Sequence, residues 1–214
     1  MPSLPVAESI FGGFFTTENY IIENFMVWWL LKKRPAEESL PVSMAGIKLG
    51  DRLLVIGCSD PMLIAQVAGK TGLTGRAVAV DAQETATAAA ADTATREGVL
   101  LETFAAQWNA LPLDGDSFDV AIVRDVLPQL EGAKRAWCLA EALRVLRPGG
   151  RCLVIDGVAR KGLLRAGRND VVASDYLAAG GPAGILTAQG FKAARVLAER
   201  DGLVFAEAVK PANQ

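Results

Sequence analysis

Residues 53–61 run LLVIGCSDP: four aliphatic side chains, a glycine, two small residues, an aspartate and a proline. An apolar run this short that breaks at Gly57 predicts a buried strand entering a sharp turn. Asp60 followed by Pro61 then predicts the start of a helix, with the aspartate as N-cap and the proline in the first turn. Strand, turn and helix in that order form the first half of a βαβ unit, where nucleotide-binding α/β proteins carry their glycine-rich loop. Here Gly57 is the only glycine of the turn. Pro61 removes an N–H and Asp60 adds negative charge at the helix start, so the joint disfavours a pyrophosphate and with it a nicotinamide dinucleotide.

Downstream, short apolar runs alternate with helical stretches. PMLIAQVAGKTG reads as a helix ending near Gly69 or Gly72, and RAVAVD as a second strand closing on Asp81. AQETATAAAADTATREG is alanine-rich and predicts an exposed helix capped by Gly98. A third strand lies within VLLETFAAQ, and a fourth, fully buried, in FDVAIVRD. The helix GAKRAWCLAEALRVL and the turn RPGG lead to the strand RCLVID. PAGILTAQGF predicts a short helix ended by Gly190, and FKAARVLAERDGLVFAEAVKP two strands around the turn ERDG. The fold class expected is α/β and Rossmann-like: a mostly parallel seven-stranded sheet, helices on both faces and a C-terminal antiparallel hairpin.

Upstream, residues 16–34 place Ile21, Ile22, Phe25, Met26, Trp28 and Trp29 at helical spacing, with Lys32, Lys33 and Arg34 before Pro35. This amphipathic helix packs on the main domain, covers a substrate pocket, forms a homodimer contact, or lies on a membrane surface as a peripheral contact. A proline-bounded polar connection, RPAEESLPVSMAGIKLGD, follows. The domains expected are an extension over 1–44 and a main domain over 45–214.

The chain has 214 residues, 51% hydrophobic and 21% charged, with a formal charge of -2, which suits one domain plus an extension and gives no basic footprint for nucleic acid. Arg160, Lys161, Arg165 and Arg168 lack interleaved aromatic residues and read as a solvated loop or helix face. No histidine is present, which excludes imidazole bases, Ser-His triads and histidine-ligated metals. Cys58, Cys138 and Cys152 have no CxxC spacing, so no metal site or disulfide framework is expected and a reduced cytoplasm suits them. No apolar run is long enough for a transmembrane segment, and the N-terminus lacks the basic region of a secretory signal.

LPLDGDSFDVAIVRDVLPQL, residues 111–130, followed by EALRVLRPGGRCLVID, residues 141–156, resembles the class I S-adenosylmethionine-dependent methyltransferases over about residues 45–210. That family has a Leu-Pro loop before a strand opening Phe-Asp, and a Leu-Arg-Pro-Gly-Gly turn before the next. Its first motif has an acid near the end of strand one and three alternating glycines; those places hold Val55, Gly57, Ser59 and Pro61. The resemblance implies S-adenosylmethionine as cofactor, held by Gly57, Cys58 and Ser59 in the turn. Asp81 and Ala82 follow at the end of strand two, where the acid accepts ribose hydroxyls or else caps the next helix. Gln107, four places before Leu111, meets the adenine amino group and Trp108 covers the adenine, or the two are a surface glutamine and a packed tryptophan. Arg124 points into the ligand crevice or pairs with Asp125.

The function implied is methyl transfer to a small, hydrophobic acceptor, with Tyr20, Trp28, Arg124, Asp125 and Tyr176 near the acceptor and no catalytic residue identified by spacing. The alternative is a methyltransferase fold that acts as a non-catalytic binding or assembly module. Val55, Ser59 and Pro61 favour the alternative, and Asp81 and Gln107 oppose it.

Overall fold

The computed structural model describes residues 39–157 and 174–212. The helix expected over 16–34, Tyr20 and Trp28 within it, and the four basic residues Arg160, Lys161, Arg165 and Arg168 lie outside the described residues. Ser39–Gln214 form a compact unit.

Among the described residues, seven strands form one sheet in the order β3-β2-β1-β4-β5-β7-β6. They are β1 (Arg52–Ile56), β2 (Arg76–Asp81), β3 (Glu102–Ala105), β4 (Phe118–Arg124), β5 (Leu146–Gly157), β6 (Lys192–Arg200) and β7 (Leu203–Val209). β1 to β5 pair in parallel, whereas β7 runs antiparallel to β5 and β6. The β6–β7 connection is Asp201-Gly202, both with positive φ, the backbone that a two-residue hairpin requires. The expected α/β class, sheet and terminal hairpin are all present.

Leu53 to Ile56 are at most 2% exposed, as a parallel strand covered on both faces must be. Alternation sorts them: Leu54 and Ile56 join one apolar cluster, Leu53 and Val55 the other. The first cluster is closed by α4 (Gly132–Val145) through Cys138, Leu139 and Ala142, and by α5 (Gly181–Ala188) through Leu186. The second is closed by α1 (Leu40–Ala45), α2 (Pro61–Thr71) and α3 (Glu84–Arg96), through Val42, Ile64 and Ala90 respectively. Burying each of these Leu or Ile side chains contributes roughly 1.5–3 kcal/mol against the entropy cost of ordering the chain, and the two layers cover both faces of the sheet.

Two local expectations change. The connection expected before Leu53 contains α1, whose six residues carry little periodicity; it is fixed by tertiary contacts, with the Ala45 carbonyl accepting from Arg151 Nη2 and Gly46 ending it at φ +56°. The RPGG segment is not a turn ahead of β5 but part of it. Gly149 N–H donates to Lys210 O and Lys210 N–H to Gly150 O, while the register with β4 shifts between Phe118 and Val120. The glycines thus form an irregularity inside a strand that starts directly from α4.

Asp119, next to the first residue of β4, ties strand ends together. Its Oδ2 accepts Arg52 N–H at 2.7 Å and its Oδ1 pairs with Arg147 Nε. These bonds lie at the N-terminal edge of the parallel strands, opposite the edge where ligands bind in such sheets.

Candidate functional site

The strand order reverses between β1 and β4, and at that switch point a crevice opens beyond the carboxyl ends of the strands. It has a volume of about 280 Å³. Its walls come from Gly57 and Ser59 after β1, Asp81 to Gln83 after β2, Arg124 to Val126 after β4, and Trp108, Gln129 and Leu130 from the flanking loops.

Gly57 makes the turn. Its φ is +97°, and a Cβ there would press on the Arg124 carbonyl oxygen and lie 2.6 Å from Val126 Cγ2. Asp60 then caps α2, its Oδ1 accepting Leu63 N–H at 3.1 Å, with Pro61 as the first helical residue. The joint therefore has the strand, turn and capped helix expected of LLVIGCSDP. Cys58 is buried and presents backbone; burial, and after it Asp81, pushes its thiol up to about 12, so it is an inert side chain.

Asp81 is 8% exposed and both its oxygens are engaged: Oδ2 accepts Cys58 N–H at 2.8 Å and Oδ1 accepts Gln83 N–H at 2.9 Å. The carboxylate thus locks the turn after β1 to the turn after β2. Each oxygen keeps a further lone pair, so a ribose diol at this position has acceptors without breaking either bond.

Arg124 is the unusual member. Its side chain is 12% exposed, its Nε lies 3.3 Å from Asp125 Oδ2 and its Nη2 4.0 Å from Asp60 Oδ2. Among the described residues, neither the buried Nε nor the buried Nη1 has a hydrogen-bond partner of proper geometry. A buried guanidinium with idle donors beside a crevice is suited to a ligand carboxylate.

Trp108 lines the crevice, but Gln107 does not. Gln107 borders a neighbouring hollow of about 160 Å³ with Asn109, Lys134 and Trp137, and Trp108 stands between the two. The crevice residues that sequence reasoning missed are Gln83 and Val126, each two places after a strand end, Ala86 on α3, and Gln129 and Leu130 at the 3-10 turn Leu127–Gln129; the first two stand where the switch-point rule would have sent a search.

A second cavity, of about 260 Å³, lies beyond β5 and β7 and has an apolar lining from Pro128, Leu177, Pro182, Val196 and Val204, with Tyr176, Gly157 and Glu199. Asp125 joins the two spaces: it lines the crevice, adopts φ +53°, and its Oδ1 accepts the N–H of Gly157 at 2.8 Å. Behind the second cavity Asp156 is fully buried. Its Oδ2 accepts the Tyr176 hydroxyl, and its Oδ1 has no partner among the described residues. Burial, opposed in part by the Tyr176 hydrogen bond, pushes the Asp156 carboxyl up to about 7. The signal for Asp156 was the single acid closing the apolar run of β5.

Residues 54–154 match a family model described as a methyltransferase domain. A ubiquinone/menaquinone biosynthesis C-methyltransferase, UbiE, of Idiomarina loihiensis is 28% identical over 117 residues, 54% of this chain and 46% of that one. The chain thus matches about half the length of this curated relative. Among solved structures, a SAM-dependent methyltransferase from Aquifex aeolicus superposes with a TM-score of 0.67 at 19% identity, covering 87% of this chain and 97% of the other. The [4+2]-cyclase SpnF superposes at 0.57 with 18% identity, covering 81% and 80%. The shared architecture therefore extends to proteins named for different reactions, and the reaction must be argued from the site. The family-model match from β1 to β5, the strand order and the crevice at the switch point are those of the class I S-adenosylmethionine-dependent methyltransferase fold, and they support that family for this chain.

Proposed function

We propose that this chain transfers a methyl group from S-adenosylmethionine to a small, hydrophobic acceptor. The observation that carries this reading is the pair of cavities, one with charged groups in its wall and one apolar, whose walls are tied by the Asp125–Gly157 hydrogen bond. A donor and an acceptor bound in adjoining spaces react as if at very high local concentration.

The crevice residues suit the donor. Asp81 offers lone pairs to a ribose diol, Trp108 an aromatic face to an adenine, and Gly57 and Ser59 little bulk beside the ligand. Arg124, whose Nη1 has no hydrogen-bond partner among the described residues, suits the cofactor's carboxylate and so helps to order the end of the ligand that lies nearest Val55. The bound cofactor supplies a methyl group already activated on sulfonium, so the chain needs alignment more than an imidazole. No phosphate is involved, and Asp60 and Pro61 are then no obstacle.

The apolar lining of the second cavity favours a hydrophobic acceptor, and the curated relative's name, with its quinone biosynthesis, adds weight. A non-catalytic module is not favoured, because residues 54–154 match a methyltransferase domain and the crevice keeps Asp81 and Arg124. The test is transfer of isotope-labelled methyl from S-adenosylmethionine to a chloroform-extractable pool of small molecules. Label should enter the organic phase with the wild-type chain and not with Asp81→Ala. Label that remains on the donor, or that moves to added protein or RNA, would overturn the reading.

A further inference from the structure

We propose that the apolar cavity takes a small molecule bearing an acidic hydroxyl, a phenol or an enol, and that Tyr176 and Asp156 receive its proton. The proposal rests on the reading of that cavity as the acceptor site.

Tyr176, within the helical residues 174–178, lines the cavity and directs its hydroxyl at Asp156 Oδ2. Asp156 is 0% exposed, and its second oxygen is unpartnered among the described residues. A buried carboxylate left half satisfied costs stability that a purely structural tie does not need, and such groups mark functional sites. Gly157, the residue after Asp156, forms the cavity wall. In a chain with no histidine, two carboxylates stand at this cavity among the described residues, Glu199 in its lining and Asp156 behind Tyr176, and of these Asp156 is the buried one, raised towards neutrality.

The step balances without an oxidant. The acceptor's O–H bond breaks and its proton passes to Tyr176 Oη as the Tyr176 proton passes to Asp156 Oδ2. Asp156 ends as a neutral carboxylic acid and Tyr176 as a neutral phenol. The bonding pair stays on the acceptor oxygen and, by conjugation, on the neighbouring ring or enol carbon, so either atom becomes the better nucleophile. Tyr176 is thus the group that touches the acceptor, and Asp156 is the positioning residue that acts through it.

The charged and titratable groups around Asp156 are Arg124 and Asp125 at the end of β4, Cys138 from α4, and Tyr176 itself. Arg135 stands 5.4 Å over the Tyr176 ring. Burial and, after it, the Asp125 carboxylate raise the carboxyl, while the Tyr176 hydrogen bond, Arg124 and the Asp125 backbone N–H work against them, for a value of about 7. Below it Asp156 is already protonated and has no room for the acceptor's proton.

The experiment measures binding of 2-naphthol and of its methyl ether, 2-methoxynaphthalene, to the full chain at about pH 8 and about pH 6, either side of the Asp156 value of about 7. At the higher pH the hydroxyl compound should bind at least about tenfold tighter, a difference of ~1.4 kcal/mol. That preference should shrink towards unity at the lower pH, and in Tyr176→Phe and Asp156→Asn at both. Equal affinities in the wild type, or a preference that survives acid and both variants, would overturn the proposal. Should one variant fail to fold, the other and the wild-type pH comparison decide. S-adenosylhomocysteine titrated into the same samples separates the two ideas. Its failure to bind the wild type counts against the methyltransferase reading, whereas naphthol results count for or against the hydroxyl site.

Discussion

A Cβ at position 57 would meet the Arg124 carbonyl while the backbone sits at φ +97°, so Gly57→Ala combines a clash with a disfavoured conformation. It should destabilise the chain by roughly 2–4 kcal/mol, read as a lowered Tm, and weaken cofactor binding because the turn and the end of β4 must part. Asp156 gives a pH signature of its own. Its carboxyl is held at about 7, above the ordinary 3.8, so the unfolded chain releases this proton first as pH rises. The stability it contributes is full below about pH 4 and lost as pH climbs through about 7. Asp156→Asn should therefore gain Tm relative to wild type across that window in a buffer series, and a gap that closes with rising pH would contradict this. The turn at Gly57 and the cap at Asp60 were legible in sequence because turn and cap chemistry is local, whereas the bond of Asp81 to Cys58 N–H joins two strands and was not. The burial of Asp156 and the idle donors of Arg124 were not, because they depend on which strands pair and which loops fold over their ends.

At the scale of elements, α4 organises both loops that shape the crevice. Glu141 Oε2 accepts Leu111 N–H at 2.8 Å, and Arg144 donates to the carbonyls of Leu113 at 2.9 Å and Leu111 at 3.2 Å. Arg135 Nε donates to the carbonyls of Leu127 and Leu130, fixing the 3-10 turn under Gln129. The Leu-Pro loop is thus a segment whose backbone groups are satisfied by helix side chains. Glu141→Ala should cost about 1–3 kcal/mol and weaken S-adenosylhomocysteine several-fold by loosening the loop that carries Trp108, measured by chemical denaturation and calorimetry. An unchanged affinity would show that this loop does not shape the cofactor site. The helices and strands themselves were legible from periodicity, capping residues and glycine positions. The short helix α1 and the irregular start of β5 were not, since both are made by long-range contacts, Arg151 with Ala45 O and Lys210 with Gly149 and Gly150.

At the scale of the whole molecule, the alternation of strand and helix, with the Phe-Asp and Pro-Gly-Gly motifs at their spacing, was enough to expect the sheet and the crevice at its switch point. It did not reveal the second cavity, which needs β7 laid antiparallel against β5 and residues 174–178 brought over Asp156. Ser39–Gln214 hold both core layers, so a chain shortened to begin at Ser39 should still melt cooperatively; a non-cooperative melt would make residues 1–38 part of the fold. The central claim is that Asp81 and Arg124 hold S-adenosylmethionine in the crevice despite Val55, Ser59 and Pro61. Calorimetric titration of S-adenosylhomocysteine tests it most directly. The account predicts micromolar binding by the wild type, weakened at least about tenfold, or ~1.4 kcal/mol, by Asp81→Ala and by Arg124→Met. Absence of heat at millimolar ligand, or affinity untouched by both substitutions, would contradict it.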